Sequence, residues 1–184
     1  MSGRSLKKHF HWAVSIAVAI GLLASVSMAR ADPIRIVAIG ASNTVGYRSE
    51  GQGWTNQLEA MLNARGYEVV LTNMGVVGDT SAGILSRVSS IPAGTKVVLF
   101  DVGGGNDKDK GAASSTGANK AAITQRIRAM GAKPIFVSYP GLVGPESGGG
   151  WRKDDIHHHL TTQSHGRVAA ALLPQVIAAI GKRR

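Results

Sequence analysis

The chain contains no cysteine among its 184 residues. Disulfide bonds, thiolate catalysis and thiolate zinc sites are therefore excluded, and stability must come from packing. Aromatic residues make up only 5% of the sequence and charged residues 17%, whereas hydrophobic residues reach 43%. Acidic residues are scarce, because 11 stand against 21 lysines and arginines, which gives a formal net charge of +10. This composition is that of a globular protein with a packed core and a basic surface.

The beginning of the chain has the pattern of a secretory signal peptide over residues 1–31. Three basic residues precede an uncharged stretch over 12–29, which ends in small residues around Arg30. A basic start, an apolar centre and a small-residue end are typical of a leader that is removed on export. We predict cleavage near Ala31, which leaves residues 32–184 as one domain in the periplasm or outside the cell. The alternative is an uncleaved anchor, since the stretch approaches the roughly 20 residues that span a bilayer.

The basic excess is smaller in the mature chain. Removing the leader lowers the formal charge from +10 to +6, because the leader holds four basic residues and no acidic one. The remaining basic residues are dispersed, apart from Lys108, Lys110 and the tail 182–184. Dispersed charge is typical of a solvated surface rather than of a stripe that binds nucleic acid. We therefore expect no nucleic-acid partner, and a transient contact with an anionic envelope surface stays open.

Short apolar runs alternate with stretches of helical periodicity along the mature chain. The apolar runs predict four buried strands, over 34–39, 68–73, 96–102 and 134–139. Apolar residues at helical spacing predict helices over 54–65, 81–88, 119–130 and 166–180, with a kink or a break at Pro174. Strands that alternate with helices indicate a parallel sheet covered on both faces, which is an α/β fold.

Three polar segments stand after predicted strands or before the last helix. Gly40-Ala41-Ser42 follows the first strand, Gly104-Gly105-Asn106-Asp107 follows the third, and Asp154-Asp155-Ile156-His157 precedes the final helix. Because ligands of such sheets bind beyond the carboxyl ends of the strands, we expect these segments to converge on one edge. A serine, an amide and an acid-histidine pair supply a nucleophile, an oxyanion donor and an oriented base.

These ordered segments resemble the sequence blocks of the SGNH, or GDSL-like, hydrolases, a family of serine esterases and lipases. The resemblance spans essentially all of the mature chain and implies a three-layer α/β/α, flavodoxin-like fold with a central parallel sheet. It implies Ser42 as the nucleophile, and the N–H groups of Ser42 and Gly78 with the Asn106 amide as the oxyanion donors. It also implies Asp154 as the acid and His157 as the base, with no need for a cofactor or a metal.

The base is ambiguous within the run of three histidines. Asp154 with His157 and Asp155 with His158 both keep the family's acid-to-base spacing, and His159 is a third candidate. Only one of these rings can meet the serine, because each faces a different direction from the backbone. We place Asp154 and His157 first, with His158 and His159 as alternative bases and Asp155 as the alternative acid.

The first block departs from the family pattern at Ala41, where an aspartate is usual. Any hydrogen bonds that the aspartate would make to the serine loop are then missing. This departure and the histidine run leave a catalytically silent envelope-binding module as one alternative function. An acyl- or acetyltransferase on the same fold is a second alternative, distinguished by an acceptor alcohol or sugar that competes with water.

The histidines also raise the question of a metal site, because imidazoles bind zinc, copper and nickel. The candidate ligands are His157, His158, His159 and His165. Adjacent residues cannot all point at one ion, and no evident inward-facing carboxylate set accompanies them. We therefore predict that no metal is bound.

The sequence predicts a secreted or periplasmic serine esterase that works through an acyl-enzyme. The loops over 47–53, 108–118 and 141–151 are expected to line its pocket. They are rich in glycine, serine and lysine, which favours a short acyl group such as acetyl over a long lipid chain. The substrate would be a small-molecule, lipid or glycan ester, and we expect a monomer.

Overall fold

The computed structural model describes residues 32–181. The predicted leader and its anchor alternative lie outside these residues, as does the basic tail. A parallel sheet of four strands forms the centre, with the order β2-β1-β3-β4. The strands are β1 (Ile34–Gly40), β2 (Val69–Gly75), β3 (Val97–Phe100) and β4 (Lys133–Phe136). The α/β fold with a central parallel sheet is therefore confirmed.

Helices connect the strands and cover the sheet. They are α1 (Ser42–Val45), α2 (Trp54–Asn63), α3 (Ser81–Arg87), α4 (Gly104–Asp109), α5 (Thr116–Ala129), α6 (Tyr139–Val143) and α7 (Thr162–Ile180). Short 3-10 turns lie at Val88–Ser90 and Ala113–Ser115. None of the helices within residues 32–181 has the length and apolar character needed to cross a bilayer.

The predicted helices are present, and the last one is longer than expected. It begins at Thr162 rather than near 166, where the Thr161 side chain accepts a hydrogen bond from the Ser164 N–H. Pro174 lies inside this helix and does not end it, so the expectation of a break there was wrong. Buried residues on both sides of the proline, Leu172 and Val176 among them, hold the two halves against the sheet.

The core has two halves, one on each face of the sheet. Alternate residues of β1 point to opposite faces, so Ile36 and Ala38 pack beneath α2 and α7 while Val37 and Ile39 pack beneath α3 and α5. All four side chains are essentially inaccessible to solvent. Burial on both faces explains why the strand reads as a continuous apolar run in the sequence.

The carboxyl ends of the strands lie close to one another and to the loops that follow. At the end of β1, a Cβ on Gly40 would collide with the Asp101 carboxylate and the Thr44 hydroxyl. Glycine is therefore required there for the chain to turn from β1 into α1 beside the end of β3. This turn is what presents Ser42 at the edge of the sheet.

Candidate active site

A hydrogen-bonded chain of three side chains begins at Ser42, the first residue of α1. The Ser42 Oγ lies 2.8 Å from His159 Nε2. The other ring nitrogen, Nδ1, lies 2.6 Å from Asp155 Oδ2. All three side chains are largely buried, with His159 and Asp155 each 6% exposed. This arrangement can pass a proton from the hydroxyl to an imidazole that a carboxylate orients.

The acid and base that the sequence placed first do not take part in this chain of contacts. His157 Nδ1 faces Asp109 Oδ2 at 3.7 Å, and its side chain is well exposed. Asp154 Oδ2 lies 2.8 Å from Arg48 Nη2 at the surface. The geometry therefore corrects the first choice, because the residues kept as alternatives, Asp155 and His159, are the ones that reach Ser42.

A local turn explains why His159 rather than its neighbours faces the serine. The Asp155 side-chain carboxylate accepts a hydrogen bond from the His157 N–H at 3.0 Å. The Asp155 backbone carbonyl accepts another from the His158 N–H at 3.1 Å. His158 then adopts a left-handed backbone conformation with φ +51°. This turn takes up one residue more than the usual acid-to-base spacing and carries the next ring inward. His158, the other alternative base, lines the cleft instead.

The Asp155 carboxyl is held in its ionised form. Burial by itself raises its pKa, but hydrogen bonds from His159, the His157 N–H and Arg48 outweigh that effect and lower the pKa to about 2. A carboxylate that stays charged and accepts from Nδ1 fixes the orientation and tautomer of the ring. Nε2 is then free to accept the serine proton.

The loop that carries the histidine is fastened to the helix that carries the serine. The Asn43 side-chain oxygen accepts a hydrogen bond from the Leu160 N–H at 3.0 Å. The Asn43 carbonyl accepts another from the Trp54 indole N–H, also at 3.0 Å. Asn43 directly follows Ser42, and Leu160 directly follows His159. The hydrogen bond between Asn43 and Leu160 therefore links the two segments that carry Ser42 and His159.

The three expected oxyanion donors are only partly brought together. Ser42 and Asn106 line the same cleft, whereas Gly78 is not part of its lining. Gly78 has φ +73°, and its N–H finds no acceptor within residues 32–181. The Asn106 amide donates to the carbonyl of Asp79, the residue after Gly78, at 2.7 Å. Lys110 Nζ donates to the Gly78 carbonyl at 2.8 Å. The second Asn106 amide hydrogen remains for a ligand.

Asp107, the acid beside Asn106, has a structural role. It is fully buried, and its carboxylate accepts hydrogen bonds from the Ser81 N–H at 2.9 Å and the Thr116 hydroxyl at 2.5 Å. It thereby joins the first turn of α3 to the segment that carries Asn106. The Gly-x-Asn-Asp pattern thus pairs one residue at the cleft with one that fixes the loop.

Asp101 is a site residue that the sequence analysis missed. Its buried carboxylate accepts hydrogen bonds from the Ala41 N–H at 3.1 Å and the Gly103 N–H at 2.7 Å. The Tyr139 hydroxyl, at 3.2 Å, and the Thr44 hydroxyl also contact it. Burial raises its pKa, and these hydrogen bonds oppose the rise. The serine loop therefore does have a carboxylate to steady it, supplied from the end of β3 rather than from position 41.

A cleft of about 320 Å³ opens beside Ser42 and Asn106. Its lining combines apolar and polar side chains. Lining residues include Val102, Phe136, Tyr139, Pro140, Trp151, Ser138, Glu146, His157 and His158. Of the three loops expected to line the pocket, only 141–151 does so. In the loop 47–53, Tyr47 instead contacts the His159 ring, with the two rings tilted by 50° and their centroids 4.7 Å apart.

The fourth metal-ligand candidate, His165, is buried in α7 and lies outside the run of three histidines. It is inaccessible to solvent, and its Nδ1 accepts a hydrogen bond from the Trp54 N–H at 3.3 Å. Burial lowers its pKa to about 4, so the ring is neutral at physiological pH. Within the described residues, no group of three or more acidic or histidine side chains is arranged to hold a metal ion.

Comparisons with known proteins agree with this architecture. The profile of the GDSL-like Lipase/Acylhydrolase family matches residues 38–177. Esterase TesA of Pseudomonas aeruginosa is 31% identical over 137 residues, which cover 72% of this chain and 68% of that protein. The chain therefore belongs to the GDSL-like lipase/acylhydrolase family of esterases.

Solved structures share the fold. A crystal structure of TesA superposes with a TM-score of 0.67 at 23% identity, covering 79% of this chain and 99% of that one. AlinE4, an SGNH-hydrolase family esterase, superposes with a TM-score of 0.54 at 20% identity, covering 83% of this chain and 100% of that one. At these identities the likeness concerns the fold, and the chemistry of this chain must be argued from its own residues.

Proposed function

We propose that this chain is an exported serine esterase that hydrolyses short-chain carboxylic esters through an acyl-enzyme. Ser42 is the nucleophile, His159 the general base and Asp155 the acid that orients it. The observation that carries the proposal is the continuous hydrogen-bonded chain from the Ser42 Oγ through His159 to Asp155, with contacts of 2.8 and 2.6 Å. The esterase class is that of the family to which the chain belongs.

In the first half-reaction, His159 Nε2 takes the proton from the Ser42 Oγ as that oxygen attacks the ester carbonyl carbon. The tetrahedral intermediate collapses when the C–O bond to the alcohol breaks, and the imidazolium gives its proton to the departing alcohol. An acyl group is then bonded to the Ser42 Oγ. Asp155 stabilises the imidazolium throughout, because it stays ionised.

In the second half-reaction, water loses a proton to His159 and attacks the acyl carbon. The carboxylic acid leaves, and Ser42 regains its proton. The Ser42 N–H and the free hydrogen of the Asn106 amide stabilise the oxyanion of both intermediates, since both residues line the cleft. These donors are fixed before the reaction, which is the condition under which they lower the barrier most.

The short acyl preference is supported by the dimensions and chemistry of the cleft. A volume of about 320 Å³ suits a small acyl group and a small alcohol. Polar residues of the cleft lining, Glu146 and His157 among them, suit a hydrated alcohol such as a sugar better than a long lipid chain. The enzyme acts without a cofactor, as a monomer, on small-molecule or glycan esters, and the signal-peptide pattern over 1–31 supports export.

The test is hydrolysis of p-nitrophenyl acetate, butyrate and octanoate by the mature chain and by a Ser42→Ala variant of matched folding. We expect the rate to fall with chain length and to be lost in the variant. Covalent labelling by a serine-directed phosphonate, located by peptide mass spectrometry, should map to Ser42. Equal rates in both proteins, or labelling elsewhere, would overturn the proposal. Transfer of the acyl group to an added sugar in preference to water would identify a transferase instead.

A further inference from the structure

One arginine contacts the acidic end of the site. Arg48 Nη1 lies 3.2 Å from Asp155 Oδ2, the same oxygen that His159 Nδ1 contacts. Its other terminal nitrogen, Nη2, lies 2.8 Å from Asp154 Oδ2. The guanidinium therefore bridges two neighbouring carboxylates, of which only one contacts the imidazole.

The backbone at this position is fixed in a conformation that side chains disfavour. Arg48 has φ +57°, in the left-handed region. Arg152 contacts both sides of the bridge, because its Nη1 lies 3.5 Å from the Arg48 carbonyl and its Nη2 lies 3.4 Å from Asp154 Oδ2. Arg48 is therefore held from two directions, by Arg152 and by Asp154. These contacts keep its guanidinium against the Asp155 carboxylate.

We propose that Arg48, anchored by Asp154, is a positioning residue that fixes the Asp155 carboxylate and limits the negative charge that this carboxylate presents to His159. The inference rests on the proposed function, in which Asp155 and His159 are acid and base. Arg48 does not line the cleft, so it acts on the reaction through Asp155 rather than through the substrate.

The physical reason lies in the opposing effects of the two charges. A carboxylate against Nδ1 stabilises the protonated ring, and an arginine on the same oxygen opposes that effect. Asp154 in turn neutralises part of the arginine charge. The other groups facing the ring are Tyr47, with centroids 4.7 Å apart, His157 at 6.3 Å, and the buried His165 on α7, which interacts with it electrostatically. Beyond Asp155 itself, the charged groups of this network are Arg48, which contacts Asp155 directly, and Asp154 with Arg152 behind it.

The charges predict shifts of opposite sign in two variants. Arg48→Met removes a positive charge, so the acid limb of the kcat/KM profile should move up by about 0.5 pH unit at low ionic strength. Asp154→Asn removes a negative charge, so the same limb should move down by a smaller amount. Arg48→Lys keeps the charge and should leave the limb near its original position. KM should change little in all three variants, while kcat at pH 6 falls in Arg48→Met.

The same midpoints can be read without substrate, from the pH titration of the His159 ring by NMR in the wild type and the variants. Arg65→Met is the matched control, because Arg65 is exposed and its side chain donates a hydrogen bond to the Met61 carbonyl rather than to any residue of the site. Midpoints that stay in place, or that move in the same direction in Arg48→Met and Asp154→Asn, overturn the inference. If Arg48→Met does not fold, Arg48→Lys and Asp154→Asn still give the comparison.

Failure of the proposed function would look different. A wild-type chain that neither hydrolyses the esters nor labels at Ser42 would refute the esterase mechanism, whatever the NMR midpoints show. An active wild type whose midpoints do not respond to the two charges would refute only the role of Arg48.

Discussion

The Asp101 carboxylate accepts a hydrogen bond of 3.1 Å from the N–H of Ala41, the residue that directly precedes Ser42. A carboxylate directly after β3 thus supports the loop that carries Ser42, where position 41 has no carboxylate of its own. The same carboxylate also accepts from the Gly103 N–H, at the start of the segment that leads to Asn106. One buried group therefore holds both the segment that leads into Ser42 and the segment that leads to Asn106.

Asp101→Ala should destabilise the protein and the site together. The substitution leaves the Ala41 and Gly103 N–H groups without their acceptor in a buried place, which costs about 2–3 kcal/mol. Asp101→Asn keeps one acceptor oxygen, so its free energy of unfolding should lie between those of the wild type and Asp101→Ala. Urea unfolding and kcat measured on the same preparations check this, with Asp109→Asn, an exposed carboxylate, as the control. Unfolding curves that coincide for wild type and Asp101→Ala would contradict the role given to this carboxylate.

His159→Ala should abolish most of the activity, while His157→Ala should not. Loss of the group that contacts the Ser42 Oγ removes the base and should lower kcat/KM by about 10⁴–10⁶-fold. His157 contacts Asp109 instead, so its variant should stay within a few-fold of wild type on p-nitrophenyl acetate. The reverse order of effects would restore the pair that the sequence placed first.

Asn106→Ala should lower kcat by about 10²–10³-fold, or about 3 kcal/mol, because one oxyanion donor is removed. Asn106 also donates to the Asp79 carbonyl, so the loop itself could loosen. Lys110→Met is the control for that effect, since Lys110 contacts the Gly78 carbonyl of the same loop without lining the cleft. A similar loss of kcat in both variants would show that loop order, rather than oxyanion stabilisation, is responsible.

Acidification between pH 6.5 and 4 should weaken the fold through His165. The pKa of this histidine is about 4 in the folded chain and near its ordinary 6.5 when unfolded. The unfolded state therefore binds a proton that the folded state does not, and stability present above pH 6.5 is lost as the pH falls toward 4. The loss amounts to about 3 kcal/mol by pH 4.

Denaturant unfolding of wild type and His165→Gln from pH 7 to pH 4.5 measures this loss. The glutamine variant should show a flatter dependence of unfolding free energy on pH, whatever its stability at pH 7. His157→Asn is the control, because it removes a histidine ring that is exposed rather than buried. Parallel slopes in wild type and His165→Gln would place the acid sensitivity elsewhere in the chain.

The sheet was predictable because burial on both faces leaves a clear mark on the sequence. Each apolar run, such as the one ending at Gly40, corresponds to a strand within a few residues. That Ser42 and Asn106 line one cleft was predictable for a related reason, since polar segments after parallel strands meet at one edge. The short helices α1, α4 and α6 went unpredicted because they span too few residues to show helical periodicity.

The identity of the histidine that contacts Ser42 was not predictable. It depends on one left-handed residue, His158, and on a turn that the Asp155 side chain closes, and neither has a spacing signature among three consecutive histidines. Asp101 was missed for a different reason. A single carboxylate after a strand has no partner pattern in sequence, because its contacts at Ala41 and Tyr139 come from distant segments.

The hydrogen bond between Asn43 and Leu160 joins the segment that carries Ser42 to the segment that carries His159. The loop over 145–149, which contributes Glu146 to the cleft lining, belongs to neither of these two segments. Insertions or replacements in that loop can therefore reshape what enters the cleft while the reacting pair keeps its distance. New ester specificities can arise there by loop exchange, without the chemistry having to be reinvented.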